Sequence, residues 1–428
     1  MIYEKSLLFL TATITTLYAL VIFIRSSNIL LKTYTIGVIG IYIIPLYLFE
    51  FFIYNYKYYN VDINYKIISL MVINLTNIII YIVTNHKVNG NKEKNKYKKY
   101  STKLQKINPF IFILAKIYSN FLGMYSIYLL ISNISYIKNN DILRIKITPL
   151  IYKVTFTGML NSIALIIALI YLLRYLESKD KFNLIKFIYY YILELCSIFT
   201  LGQRTPLIVS IIIVGLVIIF YYRGNKKMQV YIFISMIFIS LIVLLYYSTN
   251  FKRTLINEEN LILKIINGDI DLNWTLWYTL RESSFVFNNI APYPMIGWMY
   301  ILTLFIPRSI WALKGYSTAS WFTKSYLDYN SFQYVEISNL SWGYKFGVLQ
   351  DFIINLGYFG IIAYAIIIGI LFRLINRISK DNIILKAFVV NIAFRIVMND
   401  VFVNVVYNII PLILILSFGY IGNTYRDK

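Results

Sequence analysis

The stretch LGQRTPLIVSIIIVGLVIIFYYRGNKK, Leu201 to Lys227, sets an uncharged run from Pro206 to Tyr222 between an arginine at Arg204 and a basic cluster at Arg223, Lys226 and Lys227. A bilayer core about 30 Å thick is crossed by roughly 20 apolar residues, and in lipid the backbone satisfies its own hydrogen bonds only as a helix or a closed barrel. The stretch therefore reads as one membrane-spanning helix with a cation at either end. Runs of this kind recur along the chain, at Leu7 to Ile24, Thr33 to Ile53, Ile67 to Val83, Pro109 to Ile131, Ile151 to Leu173, Leu184 to Leu201, Pro206 to Tyr222, Val230 to Tyr247, Phe352 to Ile375, Ile383 to Met398 and Val401 to Ile421. The expectation is an all-α polytopic membrane protein of about eleven transmembrane helices. Composition agrees: of 428 residues 59% are hydrophobic and only 14% charged, with a mean hydropathy of +0.65. The first run lacks the basic start and small-residue cleavage site of a signal peptide, so it reads as a retained helix. The single cysteine, Cys196, lies in an apolar run and reads as a small buried hydrophobe.

A net charge of +22 would suggest nucleic acid in a soluble protein. Here the distribution of lysine explains it, and no nucleic-acid partner is implied. The segment His86 to Lys106 carries eight lysines against one glutamate, and short basic loops of this kind stay on the cytoplasmic side. Alternation through eleven helices then puts Arg25 to Lys32, Arg174 to Lys181, Arg223 to Lys227, Arg373 to Lys380 and the C-terminal RDK inside as well. All of these are basic. The opposite, outer set includes Arg204 and everything from Thr249 to Asp351. For Arg204 the plain alternative is snorkelling to headgroup phosphates.

About a hundred residues separate the run ending at Tyr247 from the one starting at Phe352, far more than a connection needs. All six tryptophans fall there: Trp274, Trp277, Trp298, Trp311, Trp321 and Trp342. They serve as an interfacial belt, alone or together with a carbohydrate site in which indoles stack on sugar rings. The apolar piece Met295 to Ile306 is too short to span and is bracketed by Pro292, Pro294 and Pro307, so it reads as interfacial or re-entrant. In NWTLWYTLRESSFVFNN, Trp274, Trp277 and Arg281 recur at helical spacing, which predicts a helix with Arg281 under an indole and Glu282 beside it. The division expected is helices 1–8 in residues 1–248, a catalytic outer loop in 249–351 and helices 9–11 in 352–428.

The only histidine, His86, sits in the basic loop, so the outer face has no histidine metal ligand, base or triad. No Walker A or Rossmann pattern occurs, so no nucleotide, metal or other cofactor is implied. Charges within the runs are few and include Glu50, Lys116, Lys186, Glu194, Lys386 and Arg395. Outside, Arg204, Arg253, Arg281 and Arg308 join Lys314, Lys324 and Lys345, facing Glu258, Glu259, Asp269, Asp271, Glu282, Asp328, Glu336 and Asp351. Guanidinium groups bind phosphate oxygens bidentately and stay charged at any working pH, and a carboxylate can take a proton from a sugar hydroxyl. The set suits glycosyl transfer from a lipid diphosphate.

LGQRTPLIVSIIIVG, YTLRESS, FIPRSIWALKG and SWGYKFGVLQDFIINLGYFG resemble, in that order, the O-antigen polymerase family, the oligosaccharide repeat unit polymerases. Arg204 stands eleven residues before Gly215 in the family's Arg-x10-Gly spacing, and Asp351, Asn355, Gly357 and Gly360 follow its acidic-x3-Asn-x-Gly-x2-Gly pattern. The chain departs from the family in having aspartate where glutamate is usual, at Asp351, and in lacking a second Arg-x10-Gly. The resemblance implies a glycosyltransferase-C-like enzyme of the inner membrane that joins undecaprenyl-diphosphate-linked oligosaccharides on the outer leaflet, with a chain-length regulator and a flippase as partners. It implies Arg204, Arg281 and Arg308 as the cations of the diphosphate and glycan site; Gln203, Trp274, Trp277, Trp311, Lys314 and Lys345 are the candidates for binding substrate beside them. Asp351 and Glu282 are the candidates for the acceptor base, and for each the alternative is to neutralise a neighbouring arginine. The related O-antigen ligases are expected to use a loop histidine, which this chain lacks. A lipid-linked oligosaccharide flippase is the rival from another class.

Overall fold

The computed structural model describes residues 2–52, 62–85, 109–133, 162–201, 204–222, 227–232, 234–235, 272–283, 295–303, 306, 310, 316–331, 336–337, 346–378, 383–399, 401 and 413. Among these the chain is helical throughout and contains no strand: α1 (Ile2–Arg25), α2 (Ile29–Phe51), α3 (Ile63–Asn85), α4 (Pro109–Ser132), α5 (Ser162–Ser178), α6 (Lys181–Leu201), α7 (Arg204–Tyr221), α8 (Asn273–Ser283), α9 (Ile296–Leu302), α10 (Thr318–Ser331), α11 (Val348–Leu356), α12 (Phe359–Ile378) and α13 (Ile383–Met398). Six of them, α1, α2, α3, α4, α6 and α12, contain segments long and apolar enough to cross a membrane, and α7 is a shorter apolar helix. The protein is an all-α membrane protein. The runs expected at Val230 to Tyr247 and Val401 to Ile421 lie almost wholly outside the described residues, as does the first half of Ile151 to Leu173.

The chain divides into two compact units. The first gathers α1–α3, α8–α12 and the end of α13. Its spans are tied by side chains that apolar periodicity does not announce. Thr13 and Tyr47 share a hydrogen bond of 3.0 Å, Asn74 donates to Thr15 at 2.8 Å, and Tyr364 donates to Tyr34 at 3.1 Å. Gly369 of α12 sits where a Cβ would press into Val83 of α3, so the absence of a side chain lets these two helices approach closely.

Helix α2 is irregular, and its sequence says why. Pro45 has no N–H to give and its ring crowds the preceding turn, so the chain widens into π-helical turns at Ile39–Ile43 and Leu48–Phe52 on either side of it. The N–H of Ile44 reaches back five residues to Ile39, and the carbonyl of Tyr42 accepts a bond from Asn273, the first residue of α8, at 2.9 Å. An irregular span thus anchors a helix from the segment that hydropathy leaves outside the membrane.

The ninth expected run is not one helix. It is split at Gly357, whose φ of 61° and ψ of −151° fall in a region essentially confined to glycine, and α11 before the break starts at Val348 rather than Phe352. At Gly360 a Cβ would strike the carbonyl of Phe352, which allows α12 to turn back tightly on α11. The missing side chain serves close approach at Gly360, whereas Gly357 is there for its backbone.

The second unit holds α4, α5, α6, α7 and the start of α13. Helix α6 packs along α4 and α5, Ser126 and Ser197 hydrogen-bond at 3.2 Å in its interior, and Tyr171 stacks on Tyr190 with ring centroids 5.8 Å apart.

Candidate functional site

The first unit carries a layer of four short helices, α8 to α11, in which α11 packs against each of the other three. Helix α8 is buried on two sides because its apolar residues do not keep to one stripe. Trp277 enters a core made by Leu8, Ala12, Leu46, Ile67 and Leu70 of the spans, while Tyr278 packs with Phe322, Phe346 and Ile354. Trp277 is 2% exposed, its Nε1 donates to Ser69 at 3.0 Å, and the Lys66 ammonium lies 5.0 Å from its ring. Lys66 is itself paired with Glu50 at 2.5 Å. The indole has no face open to a glycan, which corrects the expectation that Trp277 binds substrate: it fastens α8 to the spans. Trp274 is half-buried, with its ring against Tyr326 at 5.0 Å and Phe322 at 6.0 Å.

At the end of α8, Arg281 Nε donates to Glu282 Oε1 at 2.8 Å, and the guanidinium carbon stands 5.1 Å from the Tyr278 ring. The ring under Arg281 is a phenol, not the expected indole. Tyr278, one turn back, is held in place by its hydroxyl contact with Ser325 at 3.1 Å, and Tyr358 donates to the Leu280 carbonyl at 3.3 Å. The Arg281 side chain is 28% exposed and that of Glu282 14%, which leaves this charged pair partly buried at the end of α8.

Helix α11 is buried along nearly all its length despite carrying Gln350, Asp351 and Asn355. Burial of polar groups is tolerated when each is hydrogen-bonded. Gln350 accepts from the Gly347 amide at 3.0 Å and from the Tyr42 hydroxyl at 3.2 Å, so it caps its own helix while tying it to α2. Asp351, 1% exposed, accepts four donors: Thr318 Oγ1 at 2.9 Å, Asn355 Nδ2 at 2.6 Å and Trp298 Nε1 at 3.3 Å on Oδ1, and the Val401 amide at 2.8 Å on Oδ2. Asn355 in turn accepts from the amides of Gly297 and Met295, both at 3.3 Å, and a Cβ on Gly297 would collide with Thr318. Burial pushes the Asp351 carboxyl up to about 6, against the pull of its four donors.

These contacts revise the role expected of Asp351. A base must come within hydrogen-bond reach of the hydroxyl it deprotonates, and this carboxylate is enclosed and saturated by donors from four segments. It is a positioning residue that holds α9, α10 and α11 in register. Of the two base candidates, Glu282 is the less enclosed, with one oxygen held by Arg281.

Arg204 opens α7, in the second unit. Gln203, Arg308, Trp311, Lys314 and Lys345 lie outside the described residues. Among the described residues no three His, Cys, Asp or Glu side chains converge to hold a metal. The layer also depends on residues that sequence reading did not mark as functional. Trp298 carried a signal only as one of six tryptophans, and Tyr278 only as part of YTLRESS. Thr318 carried none. Comparison with family models, curated proteins and solved structures finds no match to this chain.

Proposed function

We propose that the protein is a polysaccharide polymerase, a membrane glycosyltransferase that moves a glycan chain from one lipid diphosphate onto a new lipid-linked repeat unit, without metal or nucleotide. The observation that carries this reading is Arg281: a permanently charged fork, partly exposed, braced by Tyr278 and Glu282 on a helix bolted to the spans by Trp277. A cation held rigid before the substrate arrives stabilises charge developing on a departing diphosphate without reorganisation. By the resemblance Arg204 and Arg308 are further phosphate-binding arginines, and Glu282 is the carboxylate proposed to receive the acceptor proton. On this reading the chain has about eleven spans in the inner membrane, segment 249–351 faces the outer side, and the donor and acceptor are undecaprenyl-diphosphate-linked oligosaccharides, with a chain-length regulator and a flippase nearby.

The test is the size distribution of surface polysaccharide in a strain lacking the chain, complemented by wild type, Arg281→Ala or Arg204→Ala, each shown to be inserted. Wild type restores a ladder, and the arginine variants leave single repeat units. Should the null strain instead accumulate lipid-linked units confined to the inner leaflet, the protein is a flippase and the proposal is wrong.

A further inference from the structure

Three cations in the second unit converge on one buried phenol. Lys116 of α4, Arg174 of α5 and Lys186 of α6 lie 5.3, 5.6 and 5.5 Å from the centroid of the Tyr171 ring. Lys116 and Arg174 also flank Phe112, at 4.4 and 5.8 Å, and Lys186 flanks Phe182 at 5.1 Å. Sharing one ring, no two of the charges stand further apart than about twice its contact distance, a spacing at which like charges are only partly screened. Among the described residues none of the three forms an ion pair with a carboxylate. Aromatic faces attract each cation, and among the described residues no carboxylate pairs with any of the three to offset their mutual repulsion.

We propose that this cation cluster binds the phosphate headgroup of an anionic phospholipid. Lys116 lies seven residues into α4, about 10 Å along its axis, and Lys186 five residues into α6, positions from which long side chains reach up to the headgroup level. The same helix starts present Phe110, Ile113, Phe182 and Ile185 outward, each more than half exposed, as a surface for acyl chains. In sequence they adjoin the basic segment His86 to Lys106 and the turn at Arg174 to Lys181, the cytoplasmic side by the positive-inside rule. The site is independent of the glycan chemistry proposed for the first unit.

The test uses the full chain in detergent, with retained lipid measured by native mass spectrometry during titration with phosphatidylglycerol, phosphatidylcholine or inorganic phosphate. Phosphatidylglycerol binds selectively. Each of Lys116→Gln, Arg174→Gln and Lys186→Gln weakens it about fivefold, and the triple variant on the order of a hundredfold. Lys179→Gln, a cation at the same end that lies over Tyr175 instead, leaves affinity unchanged. The single variants carry the test if the triple one does not fold. Equal retention of the two lipids, an equal loss with Lys179→Gln, or binding of inorganic phosphate as tight as that of the lipid would each overturn the proposal.

Discussion

Replacing Asp351 with asparagine tests whether the carboxylate is an enclosed node rather than a group open to substrate. The side chain keeps its size, loses its charge and no longer titrates. In the folded protein the carboxyl is pushed by burial from its usual 3.8 up to about 6, so the native state holds the proton more tightly than the unfolded chain does. The sign follows from linkage: the stability that protonation lends is fully present below about pH 4 and is lost as pH rises through about 6. Each tenfold change in proton affinity is worth about 1.4 kcal/mol, so wild type loses about 2 to 3 kcal/mol relative to Asp351→Asn between about pH 4 and pH 7. Other carboxylates titrate in that window, so the quantity to measure is the difference between the two proteins, from denaturant unfolding in detergent at several pH values. Trp298 provides a nearby fluorescent reporter, since its indole N–H donates to the carboxylate itself. A difference that is flat across the window, or one in which wild type gains as pH rises, would refute the enclosed-carboxylate account. It would return Asp351 to the groups that substrate can reach.

Three further outcomes are expected. Gly357→Ala forces a side chain into a glycine-only backbone region and lowers stability by about 1 to 3 kcal/mol, read as a reduced unfolding midpoint. Trp277→Ala empties the seat of α8 among Leu8, Leu46 and Leu70 and costs about 3 to 5 kcal/mol; an indole serving only as a sugar platform would show lost activity with an unchanged midpoint. Arg281→Lys keeps charge but loses the planar fork, so polymer length in complemented cells falls while the unfolding midpoint moves by less than the change seen for Trp277→Ala.

The spans were legible because lipid imposes a single demand on the backbone and the apolar runs answer it. The expected runs at Leu7, Ile67 and Pro109 correspond to helices of membrane-crossing length that begin within about five residues of the expected starts, and the run at Ile383 to a helix too short to count among them. Hydropathy was blind where the chain breaks its own pattern. Nothing in an apolar count distinguishes a straight span from α2, whose Pro45 widens the turns and whose Tyr42 carbonyl becomes a docking point for Asn273. A window average likewise passes over Gly357, because one residue with an unusual backbone changes hydropathy hardly at all while ending a helix.

The pattern Asp351, Asn355, Gly357, Gly360 invites a chemical reading, yet its spacing is explained by packing. An acid and an amide four apart lie on one face of α11, where Asn355 donates to Asp351 and both collect donors from neighbouring segments. The first glycine then ends that helix, and the second brings α12 against the Phe352 carbonyl. A buried polar network is stabilising only when every member is satisfied, which constrains the four residues together as strictly as catalysis would. What remains partly exposed in the same layer is Arg281 with Glu282, two residues whose sequence signal is weak because such an ion pair needs no particular spacing to form. The strength of a motif is therefore no measure of a chemical role: here the strong motif builds the platform, and the weakly signalled pair stands on it.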